Sequence, residues 1–219
     1  MMYELTSIFQ AVAAAMREHK EIFNQADSVN HNHGDHMLEI FLLAAQAARE
    51  MESESLSDAM DYAAKLLGQL VDNGTAQIYA QGLSQFALQF RQYGVEIEDL
   101  VSYVQELLGD KDDQEQVNNS PDEENRDVLK ALTKGLAGWQ GGKDGKADGD
   151  VTLSMTYLFD LGVAYMAAKA RGGSKSEIIA DAAISVSPLK NVAYRAESGK
   201  LAIQKMLEAM QNSKKGERF

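Results

Sequence analysis

His31-Asn32-His33-Gly34-Asp35-His36-Met37-Leu38-Glu39-Ile40-Phe41-Leu42-Leu43-Ala44-Ala45 opens with three of the chain's four histidines and runs directly into an apolar stretch. Leu38, Phe41, Leu42 and Ala45 fall on one face of an α-helix, so the pattern predicts a helix from Gly34 or Asp35 to about Met51. Histidines this dense beside a carboxylate point to a metal, phosphate or proton-transfer site. What precedes them decides the fold. Upstream, Ile8, Val12, Ala15, Met16 and Phe23 again follow helical spacing, which predicts a helix from about Tyr3 to Phe23. The cluster therefore lies between two helices.

The same periodicity continues along the chain. Helices are expected from Ser55 or Ser57 to about Leu70, Thr75 to Phe90, Glu96 to Leu108, Asp127 to Trp139, Thr152 to Ala170, Ser174 to Ile184 and Glu197 to Met210. With only two prolines in 219 residues, the fold class is all-α: an antiparallel helical bundle or barrel of about eight to nine helices. Residues 1–219 read as a single domain. The acidic stretch 109–126 carries a single aliphatic residue, so it reads as a surface loop inside that domain.

Composition excludes several classes of function. Thirty-three acidic against 21 basic residues give a net charge of -12, which repels nucleic acid and anionic membranes. The absence of cysteine removes disulfides, thiolate catalysis and Cys-ligated zinc. No apolar run reaches the roughly 20 residues of a membrane span, and the first residues lack the pattern of a signal peptide. A cytoplasmic, soluble protein is expected.

Three polar, Gly-containing loops precede expected helices: 31–36, Asp72-Asn73-Gly74-Thr75, and Asp148-Gly149-Asp150-Val151-Thr152. Helix N-termini present unpaired N–H groups and a positive dipole end, which suits phosphate oxygens. Carboxylates beside phosphates imply a divalent cation, because the like charges otherwise repel. Asn73, Gly74, Thr75, Gly149, Asp150 and Thr152 are accordingly candidate phosphate-binding residues. Trp139, before a Gly-rich loop, is either a core residue or a platform for an adenine ring.

His31-x-His33-x-Asp35-His36 resembles the HxHxDH motif of the metallo-β-lactamase fold, but that fold needs strands around the motif and later histidines, and none occurs after His36. A second resemblance includes the surroundings. Asp27-Ser28-Val29-Asn30 followed by His33-Gly34-Asp35-His36-Met37 resembles the magnesium-nucleotide loop of the L subunit of dihydroxyacetone kinase, also called the Dak phosphatase-like domain family. The family has an upstream Asp before a D-G-D-H-G element at a helix start. Leu70-Val71-Asp72-Asn73-Gly74-Thr75-Ala76-Gln77-Ile78-Tyr79 resembles its G-G-A-S-G-P-L-Y segment, and Lys146-Ala147-Asp148-Gly149-Asp150-Val151-Thr152 resembles its G-D-K-T-M loop. Tyr194-Arg195-Ala196-Glu197-Ser198-Gly199 stands where the family has a late Gly-rich nucleotide loop.

This resemblance implies a barrel of antiparallel helices that binds ADP or ATP with Mg²⁺ and serves glycerone kinase-like phosphoryl transfer. Asp27 and Asp35 match the outer carboxylates of the metal set. His33 occupies the place of the middle one, where a nitrogen donor suits Mn²⁺ or Zn²⁺ better than Mg²⁺. His36 is either a further ligand or a residue packed at the helix start. The implied partners are a substrate-binding kinase subunit, a phosphoryl-donor protein or a second copy in a homodimer. The alternatives are a non-catalytic regulatory or interaction module, and a metal-dependent phosphatase or hydrolase using the His31–His36 cluster.

Overall fold

The computed structural model describes residues 5–109, 123–140 and 155–213. Among them there are nine α-helices and one 3₁₀ turn, and no strand. The helices are α1 (Leu5–Ala26), α2 (His33–Glu50), α3 (Leu56–Gly68), α4 (Gly74–Tyr93), α5 (Ile97–Leu108), α6 (Glu123–Gln140), α7 (Met155–Arg171), α8 (Lys175–Ser185) and α9 (Ala193–Asn212), with the 3₁₀ turn Pro188–Asn191 before α9. The all-α class read from the sequence is the class observed. None of these helices is long and apolar enough to cross a membrane. Residues 110–122 of the acidic stretch, and Gly149, Asp150 and Thr152, lie outside the described residues; Glu123 onward already belongs to α6.

Local chemistry sets most helix starts. The Ser55 hydroxyl accepts the Asp58 N–H at 3.1 Å, and the Ser174 hydroxyl accepts that of Glu177 at 3.2 Å. The Glu177 carboxylate returns to the Ser174 N–H at 2.8 Å, completing a reciprocal cap. At the other end of α4, Gly94 takes a left-handed φ of 64°, which glycine adopts without steric cost.

Among the described residues, α1 and α2 form the tightest pair. Phe9 meets Phe41 near one end of that pair, and Phe23 meets His33 at the other. Their closest approach is at Gly34, where any Cβ would collide with the backbone carbonyl of Lys20. Helix α9 lies against α1, while α3, α4 and α6 continue the bundle. One core unites Phe9, Val12, Met16, Met37, Ile40, Phe41 and Leu67; a second gathers Ile8, Phe90, Val101, Val104 and Val128. Trp139 is a core residue: it packs with Ile184 and Leu189, and its indole N–H donates to the Ile78 carbonyl at 2.8 Å.

Candidate phosphate site at a junction of helix N-termini

The turn between α1 and α2 is organised by two side chains. Asn24, near the end of α1, caps the neighbouring helix: its Oδ1 accepts the backbone N–H groups of Gly34 at 2.7 Å and Asp35 at 3.2 Å. These are orphan donors of the first turn of α2, so the cap comes from across the helix pair rather than from Asn32. Asp27 holds the turn from within. Its carboxylate is buried and accepts the Val29 N–H at 3.0 Å. Burial alone would raise its pKa, but the N–H groups of Val29, Asn32 and Asn30 outweigh that and hold it below the ordinary value. His31 closes the turn with a left-handed φ of 56°.

His33 is the first residue of α2, one to two residues earlier than the helix was expected to begin. Its ring is 2% exposed, between Phe23 and Tyr194, whose centroids lie 6.3 and 4.7 Å away. Nε2 lies 2.8 Å from the Ser198 hydroxyl, which itself donates to the Arg195 carbonyl at 3.2 Å. Burial, with the nearby Arg195 charge, pushes the imidazole pKa down to about 4. His33 is therefore neutral at neutral pH.

The second wall is the start of α4. Asn73 accepts the Ala76 N–H at 2.9 Å, while its Nδ2 donates to Glu39 at 3.2 Å and to the His36 carbonyl at 3.4 Å. This ties the N-terminus of α4 to the first turns of α2. Thr75, the second residue of α4, is 3% exposed, and no hydrogen bond engages its hydroxyl.

The third wall is the first turn of α9. A Cβ at Gly74 would stand 3.8 Å from Nη2 of Arg195, so the guanidinium lies over the start of α4. The same cation is close enough to His33 to lower its pKa. Two buried polar atoms here have no hydrogen-bond partner: Nε of Arg195 and Oδ1 of Asn32. Cationic side chains are disfavoured in a first helical turn by the dipole. Arg195 occupies the third position of α9, beside two further positive helix ends. A guanidinium with an unpaired nitrogen beside the start of α4 is a group suited to an anion.

The four expected metal ligands do not converge here. Asp35 is exposed on the outer side of α2, where it accepts from Asn24 Nδ2 at 2.8 Å and pairs with Lys20 at 3.1 Å. These two partners hold its carboxyl below the ordinary value. Asp27 faces its own loop, and His33 faces Ser198. The reason is geometric: residues two apart on a helix point about 200° away from each other, and α2 begins early enough to include both His33 and Asp35. The other histidines are dispersed too. His31 is exposed with Nδ1 3.4 Å from the Asn24 carbonyl, and His36 is half-buried. Among the described residues no three His, Asp or Glu side chains form a metal-holding group. His33 and Asp35 therefore do not face a common point, while Asp27 and His36 are near enough to His33 to act on its charge.

Of the remaining expected residues, Asn73, Gly74 and Thr75 do gather at the junction. Glu197, aligned with a late family loop, is exposed, while Ser198 and Gly199 after it are buried. Sequence reasoning missed Arg195, Ser198 and Asn24 as contributors. No local signal marked them: periodicity put the last helix at Glu197 onward, which left Arg195 outside it.

The described residues form an all-α bundle in which the starts of α2, α4 and α9 meet. No protein-family model, no curated protein and no solved structure matches this chain.

Proposed function

We propose that this chain binds the phosphates of an adenine nucleotide where α2, α4 and α9 begin, as the nucleotide-binding component of a dihydroxyacetone kinase-like phosphoryl-transfer system. The observation that carries this reading is the Arg195 guanidinium, with its unpaired Nε, set over the N-terminus of α4. Phosphoryl transfer depends chiefly on positioning and charge neutralisation, and both are available at such a junction. The resemblance of residues 27–37 and 70–79 to a nucleotide-binding family supplies the nucleotide. The same resemblance implies that the hydroxyketone would be held by a partner subunit.

Calorimetric titration of the full chain with ADP and ATP, in Mg²⁺ and in Mn²⁺, tests this. Saturable binding is expected; absence of heat under both conditions overturns the proposal.

One observation favours a second reading, a regulatory or interaction module that keeps the fold without catalysis. Asp35, the carboxylate best matched to the family, is committed to Lys20 and Asn24. On this reading nucleotide binds, yet no phosphoryl group reaches dihydroxyacetone when a substrate-binding kinase subunit is supplied. Formation of dihydroxyacetone phosphate in that assay overturns it.

A further inference from the structure

We infer that the charge facing the bound phosphate is supplied by Arg195 together with the N-termini of α4 and α9, in place of a divalent cation, so that the site takes a terminal phosphate or a phosphate monoester free of metal. The inference rests on the phosphate-binding reading above and deepens it.

Two sets of observations meet. First, the groups that would hold a cation are otherwise engaged. The Asp27 carboxylate accepts the turn's own N–H groups, Asp35 pairs with Lys20 and Asn24, and His33 Nε2 is hydrogen-bonded with the Ser198 hydroxyl at 2.8 Å. Second, the groups that would hold an anion are available. Arg195 presents a buried Nε with no partner, and its Nη2 lies over Gly74. Thr75 is almost wholly buried with its hydroxyl unengaged. The Asn32 amide offers a buried, unpaired Oδ1, an acceptor for a ligand hydroxyl or a protonated phosphate oxygen.

The chemistry follows from these placements. A guanidinium neutralises a phosphate dianion through parallel N–H···O bonds, and the first-turn N–H groups of a helix add fixed positive charge at no cost in reorganisation. A divalent cation entering the same space would be repelled by Arg195 and by the dipole ends of α4 and α9. Lys20 would also have to release Asp35.

Isothermal titration of the full chain with inorganic pyrophosphate and with ADP, in excess EDTA and separately in excess Mg²⁺, tests the inference. Affinity in EDTA is expected to match that in Mg²⁺ within about threefold, and Arg195→Gln should weaken it about 10- to 100-fold, the range of a lost charge-assisted contact. Arg195→Lys, which keeps the charge, is expected to retain part of the binding and guards against misfolding of the neutral variant; both variants are compared by circular dichroism. Binding seen only with Mg²⁺ overturns the inference but leaves the phosphate reading standing. Binding under neither condition overturns both. Binding in EDTA that Arg195→Gln does not weaken refutes the assignment to Arg195.

Discussion

His33 makes the stability of this protein depend on pH in a window where few other groups titrate. The ring is 2% exposed, and its pKa falls from 6.5 to about 4, through burial first and the Arg195 charge second, with His36 adding to the fall and Asp27 opposing it. A depressed folded-state pKa means that the unfolded chain takes up the proton first. The stabilisation is fully present above about pH 6.5 and is lost as the pH falls towards about 4. At about 1.4 kcal/mol per unit, the whole effect is about 3 kcal/mol, of which about 1.8 kcal/mol is lost between about pH 7 and about pH 5. The carboxylates held low, Asp27, Asp35, Asp58 and Asp181, have an unfolded value of 3.8, and Glu50 and Glu177 one of 4.5. Their contributions also disappear on acidification, but mainly below about pH 5. Urea denaturation at several pH values across this window, for the native chain and for His33→Gln, measures the effect, and the imidazole's own titration can be followed by NMR. The native chain should lose stability on the stated scale while the variant stays nearly flat. Parallel slopes for the two proteins, or an imidazole that titrates near its ordinary value, would refute the reasoning.

Three further outcomes are expected. Gly34→Ala forces a Cβ against the Lys20 carbonyl and must separate α1 from α2, costing about 3 kcal/mol or more, read as a lower denaturation midpoint; an unchanged midpoint contradicts the close approach. Asn24→Ala leaves the Gly34 and Asp35 N–H groups without their acceptor and should cost about 1–2 kcal/mol by the same assay, with a stable variant arguing that another group caps α2. Gln89 is wholly buried in α4 with both amide atoms unpartnered, so Gln89→Leu should stabilise the fold by about 1–2 kcal/mol. A drop in Tm would show that the amide has a hydrogen-bond partner.

The helices were legible because their signals are local. Apolar residues at helical spacing, and caps such as Ser55 and Ser174, lie within a few residues of the backbone they organise, so α3 and α8 begin where the sequence reading put them. Helix α9 is an exception. It begins at Ala193, not Glu197, because the 3₁₀ turn Pro188–Asn191 ends just before it, and this draws Arg195 into the first helical turn.

The site was legible only in part. Its location at the starts of α2 and α4 follows from Gly, Asn and Thr preceding apolar runs, and Asn73, Gly74 and Thr75 are found there. The ligand roles expected for Asp27, His33, Asp35 and His36 treated neighbours in sequence as neighbours in space. Once His33 is helical, that no longer holds for His33 and Asp35.

The sequence alone determined an all-α chain, its strongly acidic balance and the clustering of histidine and Asp beside helix starts, since composition and periodicity are properties of short stretches. Tertiary structure decided which of those groups face one another. The partner of His33 is Ser198, 165 residues away, and the cation beside Gly74 is Arg195. Neither pairing has a local signature, because it arises from how α1 and α9 pack and bring separate helix N-termini to one place.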